Sequence, residues 1–139
     1  MDRIEDCFTF LLGKAYQRFS QIEKERLRPY GVTPVQFGLL HLLWEKDGRK
    51  GSELGERLRL DGATITGMLD RLEQSGLVER RSDPKDRRIN LIYLTPKGKE
   101  LEKPLNDLLD QLQAELLSDF PEEEVAFLKK MLVQLGLGR

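Results

Sequence analysis

The sequence predicts a mostly α-helical fold with one short β-hairpin set late in the chain. Three observations predict it. Apolar residues recur at spacings of three and four through most of the 139 residues. The pair Thr-Pro occurs at Thr33-Pro34 and again at Thr95-Pro96, each time opening a helical run. After Gly76 the period changes once, to two short β-compatible runs separated by turn residues.

The first element is a long helix over about residues 3 to 28. Its stripe is Ile4, Phe8, Leu11, Leu12, Ala15, Phe19 and Ile22, and Pro29 and Gly31 stop it. In the second, Thr33 is the N-cap, Pro34 takes the first helical position and Gln36 completes a capping box. Phe37, Leu39, Leu40, Leu42, Leu43 and Trp44 make this helix apolar on most sides, so it is expected at the centre of the core; Asp47-Gly48 ends it. Ser52 is placed to cap a third, short helix with Leu54 and Leu58 inward. Asp61 is placed to cap a fourth, which buries Ile65, Met68, Leu69 and Leu72 and stops at Gly76. Two short helices across a tight turn form a helix-turn-helix. The hairpin follows directly: residues 77–81, the turn 82–86 and residues 89–94. A hairpin so placed is a wing. A long helix then carries Leu101, Leu105, Leu108, Leu109, Leu112 and Leu116, with Pro104 expected to kink or break it. Pro121 and Glu122 to Glu124 open the last helix, striped by Val125, Leu128, Leu132 and Leu135.

Composition narrows the class. Apolar residues make up 39% and charged residues 34%, polar for a globule but too apolar for a disordered chain. One cysteine excludes an intrachain disulfide framework and a cysteine-based zinc site. No apolar run approaches the roughly 18–20 residues that span a bilayer. The acidic, amphipathic N-terminus is unlike a signal peptide, so a cytoplasmic chain with no membrane partner is expected. Charge is distributed unevenly behind a net of −1. Residues 80–90 hold five basic side chains against two acidic ones, and residues 100–139 hold four against nine. A neutral chain with a basic centre can bind a polyanion through one face; a charge-rich solvated loop is the other reading.

The order of elements resembles the multiple-antibiotic-resistance regulator (MarR) family of winged-helix transcription factors. The residues that carry the likeness run from Leu58 through Asp61, Gly62 and Thr64 to Thr66, then Leu69 to Glu73 and Gly76 to Arg80. The most specific stretch is Asp83-Pro84-Lys85-Asp86-Arg87-Arg88, followed by Leu91, Leu94-Thr95 and Gly98. The family's Asp-x-Arg wing pattern maps onto Asp86 and Arg88. The likeness spans nearly the whole chain and is strongest over residues 52–98. It implies a homodimeric transcription regulator, most often a repressor, on a palindromic double-stranded DNA operator, with no cofactor. It also implies three regions in one compact domain: an N-terminal dimerisation helix (1–32), a winged helix-turn-helix DNA-binding region (33–98) and C-terminal dimerisation helices (99–139). The stripes Ile4 to Ile22 and Val125 to Leu135 need burial in any case; packing on each other within one monomer is the alternative to a dimer.

A recognition helix enters the major groove with its N-terminal half toward the base edges. Opposite its buried side the fourth helix offers Gly62, Thr64, Thr66, Gly67 and Arg71. Many relatives carry a larger polar residue where Gly67 stands. The threonines have a second reading as solvent-facing or cap-related residues, and Arg71 has one as a partner of Asp70 or Glu73. Arg87 and Arg88 suit an electronegative minor groove, and the family pattern favours Arg88 as the inserted side chain. Asp86 is expected to orient a neighbouring arginine by a charge-assisted bond. Ser52, Arg49, Lys50, Arg80, Arg81 and Lys85 are candidate phosphate contacts.

Members of this family often bind a small aromatic or lipophilic effector between the dimerising helices and the winged-helix lobe. Phe8, Leu12, Phe19, Phe37 and His41 are the candidates here, with plain core as the alternative. His41 reads as a packed, hydrogen-bonded side chain rather than a metal ligand, and no metal is expected. Other members oxidise a first-helix cysteine, so Cys7 is a candidate oxidant sensor. It falls about two positions short of the reactive cysteine of the organic hydroperoxide regulators, Tyr16 and Tyr30 are only near the supporting positions, and an inert small hydrophobe is the other reading. No nucleophile–base motif, P-loop, dinucleotide turn or metal-ligand spacing points to an enzyme. A winged-helix dimer used only for protein contacts remains as a competing class, against which the basic wing argues.

Overall fold

A computed structural model describes all residues, Met1–Arg139. The chain opens with a 3-10 turn at Ile4–Asp6, followed by α1 (Phe8–Leu27). The expected helix from residue 3 is therefore interrupted, because Cys7 is extended at φ −89°, ψ 112°. Asp6 turns its carboxylate back to the Arg3 N–H at 3.3 Å. Local side-chain bonding of this kind competes with helix continuation. A second 3-10 turn, Arg28–Tyr30, ends at Gly31 with φ 69°, as the Pro29 and Gly31 signals required.

Helix α2 (Pro34–Glu45) starts on a closed capping box. The Gln36 N–H donates to Thr33 Oγ1 at 3.2 Å, and the Thr33 N–H donates to Gln36 Oε1 at 3.1 Å. Leu39, Leu40, Leu42 and Leu43 are all buried, so α2 is the core helix that its composition predicts. Thr33→Ala should cost about 1 kcal/mol of stability, read as a lower urea midpoint; an unchanged midpoint would show that the box is dispensable.

The next element was not expected. Gly48, at φ 70°, feeds a two-residue strand β1 (Arg49–Lys50). It leads directly into α3 (Gly51–Leu58), whose N-cap is Lys50. Ser52 thus lies one residue inside the helix and is not its cap. Helix α4 (Gly62–Gln74) does begin on Asp61, whose Oδ1 takes the Thr64 N–H at 2.8 Å. It buries Ile65, Met68, Leu69 and Leu72, and the chain leaves it through Gly76 at φ 75°.

Strands β2 (Val78–Ser82) and β3 (Asn90–Leu94) form the hairpin, and β1 completes a three-stranded antiparallel sheet in the order β1-β3-β2. Val78 pairs with Leu94, Arg80 with Ile92 and Ser82 with Asn90; Arg49 pairs with Ile92 from the other side. Val78, Ile92 and Leu94 supply the buried face.

Thr95 caps α5 (Pro96–Glu100) by accepting the Gly98 N–H at 3.2 Å. The long helix expected next is broken at Leu101, before α6 (Glu102–Leu116). Pro104 falls in the first turn of α6, where the missing N–H leaves no helical bond unmade. Helix α7 (Glu122–Leu137) follows Pro121.

The chain forms two compact units, residues 1–106 and 107–139, divided within α6. In the first, α1 buries only Leu27, while Phe8, Leu11, Leu12 and Tyr16 are exposed. In the second, α7 buries no residue, and Phe127, Leu128, Met131, Leu132 and Leu135 are exposed. Phe19, Ile22 and Val125 are half-buried, and the rest of both terminal stripes is exposed. No helix is long and apolar enough to cross a membrane.

Candidate nucleic-acid interface

Helix α4 hides its apolar side and bares a low, mostly uncharged surface. Gly62, Thr64, Thr66 and Arg71 are exposed. Gly67 is half-buried, with open space where a Cβ would stand. The amide of Thr64, and then its hydroxyl, hold the Asp61 carboxyl below the usual carboxylate range. The cap-related reading of Thr64 therefore describes part of its role, and Thr66 is the less committed hydroxyl. Arg71 does not pair with Asp70 or Glu73; the partner of both carboxylates is Arg80.

One phosphate candidate is engaged within the fold. Arg80 Nη2 lies 2.8 Å from Asp70 Oδ1 and its Nη1 3.0 Å from Glu73 Oε1. Arg49 is also engaged, donating from Nε to the Lys46 carbonyl at 3.0 Å. Arg81 pairs with Glu79 and lies over the Tyr93 ring at 4.4 Å from its centroid. Ser52, Lys50 and Lys85 are exposed, as is Arg87.

The wing tip is held by its two aspartates. The Asp83 N–H donates to the Ile89 carbonyl at 2.8 Å, and the Asp83 carboxylate accepts the Lys85 N–H at 2.9 Å. Asp86 Oδ1 accepts both the Arg88 N–H and Nε at 3.1 Å, and Oδ2 accepts Nη2 at 3.1 Å. The guanidinium is thereby aimed by a bidentate, charge-assisted clamp while its side chain stays 89% exposed. The Arg88 guanidinium, and then its amide, hold the Asp86 carboxyl below the ordinary range, and the bond raises Arg88 in turn.

A group with a depressed folded pKa contributes its stabilisation fully above its unfolded pKa and loses it as the pH falls through the folded value. The Arg88 Nε proton resonance should accordingly hold its position from neutrality down to about pH 4 and move only below it. A transition centred on the ordinary carboxylate value would contradict the clamp.

The candidate sensing residues are more scattered. Cys7 is half-buried and is the N-cap of α1, one residue before the helix begins. Phe8 and Leu12 are exposed and Phe19 is half-buried. His41 is packed between Phe37 and Trp44, at centroid distances of 5.7 and 6.1 Å, and its Nδ1 is 3.1 Å from Asn106 Oδ1. Two clefts of about 500 and 270 Å³ lie in the second unit around Leu117, Phe120 and Val125. None of Phe8, Leu12, Phe19, Phe37 or His41 lines them. The Arg80 clamp is the feature that sequence reasoning missed; the only signal was an arginine seven and ten residues beyond two acids on one helix face.

A helix-turn-helix whose second helix offers small polar residues beside an arginine-tipped hairpin defines a winged-helix DNA-binding protein. The comparisons agree. The model of the MarR family matches residues 32–89. The transcriptional regulator MhqR of Bacillus subtilis (strain 168) is 32% identical over 130 residues, spanning 91% of this chain and 88% of that one. The transcriptional repressor CouR bound to a 23-mer DNA duplex superposes with a TM-score of 0.90 at 27% identity, over 97% of this chain and 96% of the other. CouR from Rhodococcus jostii RHA1 bound to p-coumaroyl-CoA gives 0.87 at 26% identity, over 97% and 95%. The chain belongs to the MarR family of transcriptional regulators.

Proposed function

We propose that the chain is a homodimeric transcriptional repressor that reads a palindromic double-stranded operator and is released by a small aromatic or lipophilic effector. The carrying observation is the exposed Arg88, clamped by Asp86 at the tip of a wing that follows a helix-turn-helix. The face of Gly62, Thr64, Thr66, Gly67 and Arg71 reads the major groove, and Arg88, flanked by Arg87, enters the minor groove. Lys85 and Ser52 contact phosphates, and Arg81 joins them by exchanging Glu79 for the backbone.

The bare apolar rows of α1 and α7 support the dimer, since rows this extensive mark association surfaces. Two copies related by a twofold axis present two wings and two reading helices to an inverted repeat. The ligand-bound CouR structure supports a small-molecule effector, and the DNA-bound one supports repression. The protein acts in the cytoplasm as a binder, not a catalyst.

Sedimentation and selection from a randomised duplex pool test this. A dimer at micromolar concentration should enrich an inverted repeat, with affinity falling steeply as salt rises. A monomer at that concentration, or a pool that never enriches at modest ionic strength, refutes it.

A further inference from the structure

We propose that Arg80 is a positioning residue, which fixes the recognition helix α4 to the wing so that both reach one half-site together. The inference rests on the DNA-binding reading above and names the part that sets its geometry. Asp70 and Glu73 stand one turn apart on the same face of α4. Arg80, on β2, spans them with the two arms of its guanidinium at 2.8 and 3.0 Å. The Arg80 N–H also donates to Glu73 Oε2 at 3.3 Å, so main chain and side chain are both engaged. Its side chain is only 23% exposed, against 89% for Arg88. It is buried too far to serve a phosphate without leaving the clamp.

Placement makes the clamp consequential. Only Arg81 and Ser82, paired with Leu91 and Asn90, separate Arg80 from the wing turn. A tilt at Arg80 therefore swings the tip that carries Arg88. A lysine offers one point charge where the arginine fork meets two carboxylates, so the geometry demands arginine.

The decisive variant removes the acids rather than the arginine. Asp70→Asn with Glu73→Gln takes two negative charges from beside a polyanion, so electrostatics alone would tighten binding. Positioning requires the opposite sign. With the duplex that the parent selects from a randomised pool, this double variant should bind about tenfold more weakly, the scale of one lost groove contact. Its affinity for an unrelated duplex should stay level or rise. Arg80→Ala should match that loss, and Arg80→Lys should recover only a part of it. In an Arg88→Ala background, where the wing contact is already absent, the double variant should cost less than about threefold. Circular dichroism and melting of each variant confirm that it is folded. If the acid-free variant binds the selected duplex as well as the parent or better, the clamp acts through charge alone and the proposal falls while DNA binding stands. A parent that enriches no duplex overturns both.

Discussion

Gly98→Ala is expected to lower the melting temperature by about 10 °C or more, the largest stability loss of any single methyl added to this chain. A Cβ at residue 98 would lie 2.2 Å from the Leu77 carbonyl oxygen and 3.2 Å from its carbon. No side-chain rotation relieves that contact, because both partners are backbone. Leu77 is buried and held at both ends: its N–H donates to the Leu72 carbonyl at 2.9 Å and its carbonyl accepts the Thr95 N–H at 3.1 Å. Gly98 is pinned as firmly. Its carbonyl accepts Trp44 Nε1 at 3.0 Å and its N–H donates to Thr95 Oγ1 at 3.2 Å. Relief requires the start of α5 to retreat from the sheet and break at least one of those bonds. Overpacking together with a lost buried bond amounts to roughly 3 kcal/mol or more, a large share of the ~5–15 kcal/mol that holds a domain folded. Gly62→Ala, with open space around its Cβ, should melt with the parent. A Gly98→Ala protein that also melts with the parent would show that α5 and the sheet are not packed as described.

Arg88→Ala should weaken binding to the selected operator by about tenfold to a hundredfold, the range for losing a specific groove contact. Lys103→Ala, on α6, should cost far less. Arg88 combines near-complete exposure with a fixed direction, so its charge would meet a duplex already oriented. Arg88→Lys should recover only a minority of the loss, because an ammonium carries a tighter hydration shell into a narrow groove and cannot pair bidentately with Asp86. Equal gel-shift titrations of Arg88→Ala and the parent would remove the wing from the interface.

Local chemistry was legible in the sequence, and contacts between distant residues were not. Thr33, Asp61 and Thr95 are caps in the structure because a cap needs only a side-chain oxygen and an amide three residues on. Gly31 and Gly76 take the left-handed conformation that stops a helix. Asp86 grips Arg88 because the two lie in one turn. Strand β1 carries no pattern of its own: Arg49 and Lys50 are extended because β3 is there to pair with. Ser52 loses the capping role to Lys50 because that pairing sets where α3 begins. Arg80 looked like one more exposed cation in a basic run, and only the approach of α4 to β2 gives it Asp70 and Glu73. The halt at Cys7 came from Asp6, whose backward bond competes with an otherwise regular stripe. The face of α4 was readable from the period of Ile65, Met68, Leu69 and Leu72. Whether Phe8, Leu12, Phe19, Phe37 and His41 serve a pocket or the core was not readable, because apolar side chains that line a cavity and those that fill a core have the same spacing.

The central place of β3 sets where this protein can be cut for a chimaera. Exchanging only residues 77–95 with a relative would set a foreign strand against Arg49, which pairs with Ile92, and against the Asp47 carboxylate, which accepts the Leu94 N–H at 2.9 Å. It would also take Tyr93 from the hollow at Gly48, where a Cβ would come within 2.9 Å of its ring. A cassette that keeps these contacts together, with the Trp44 bond to the Gly98 carbonyl, runs from Trp44 to Gly98, so a swapped wing brings helix α4 along.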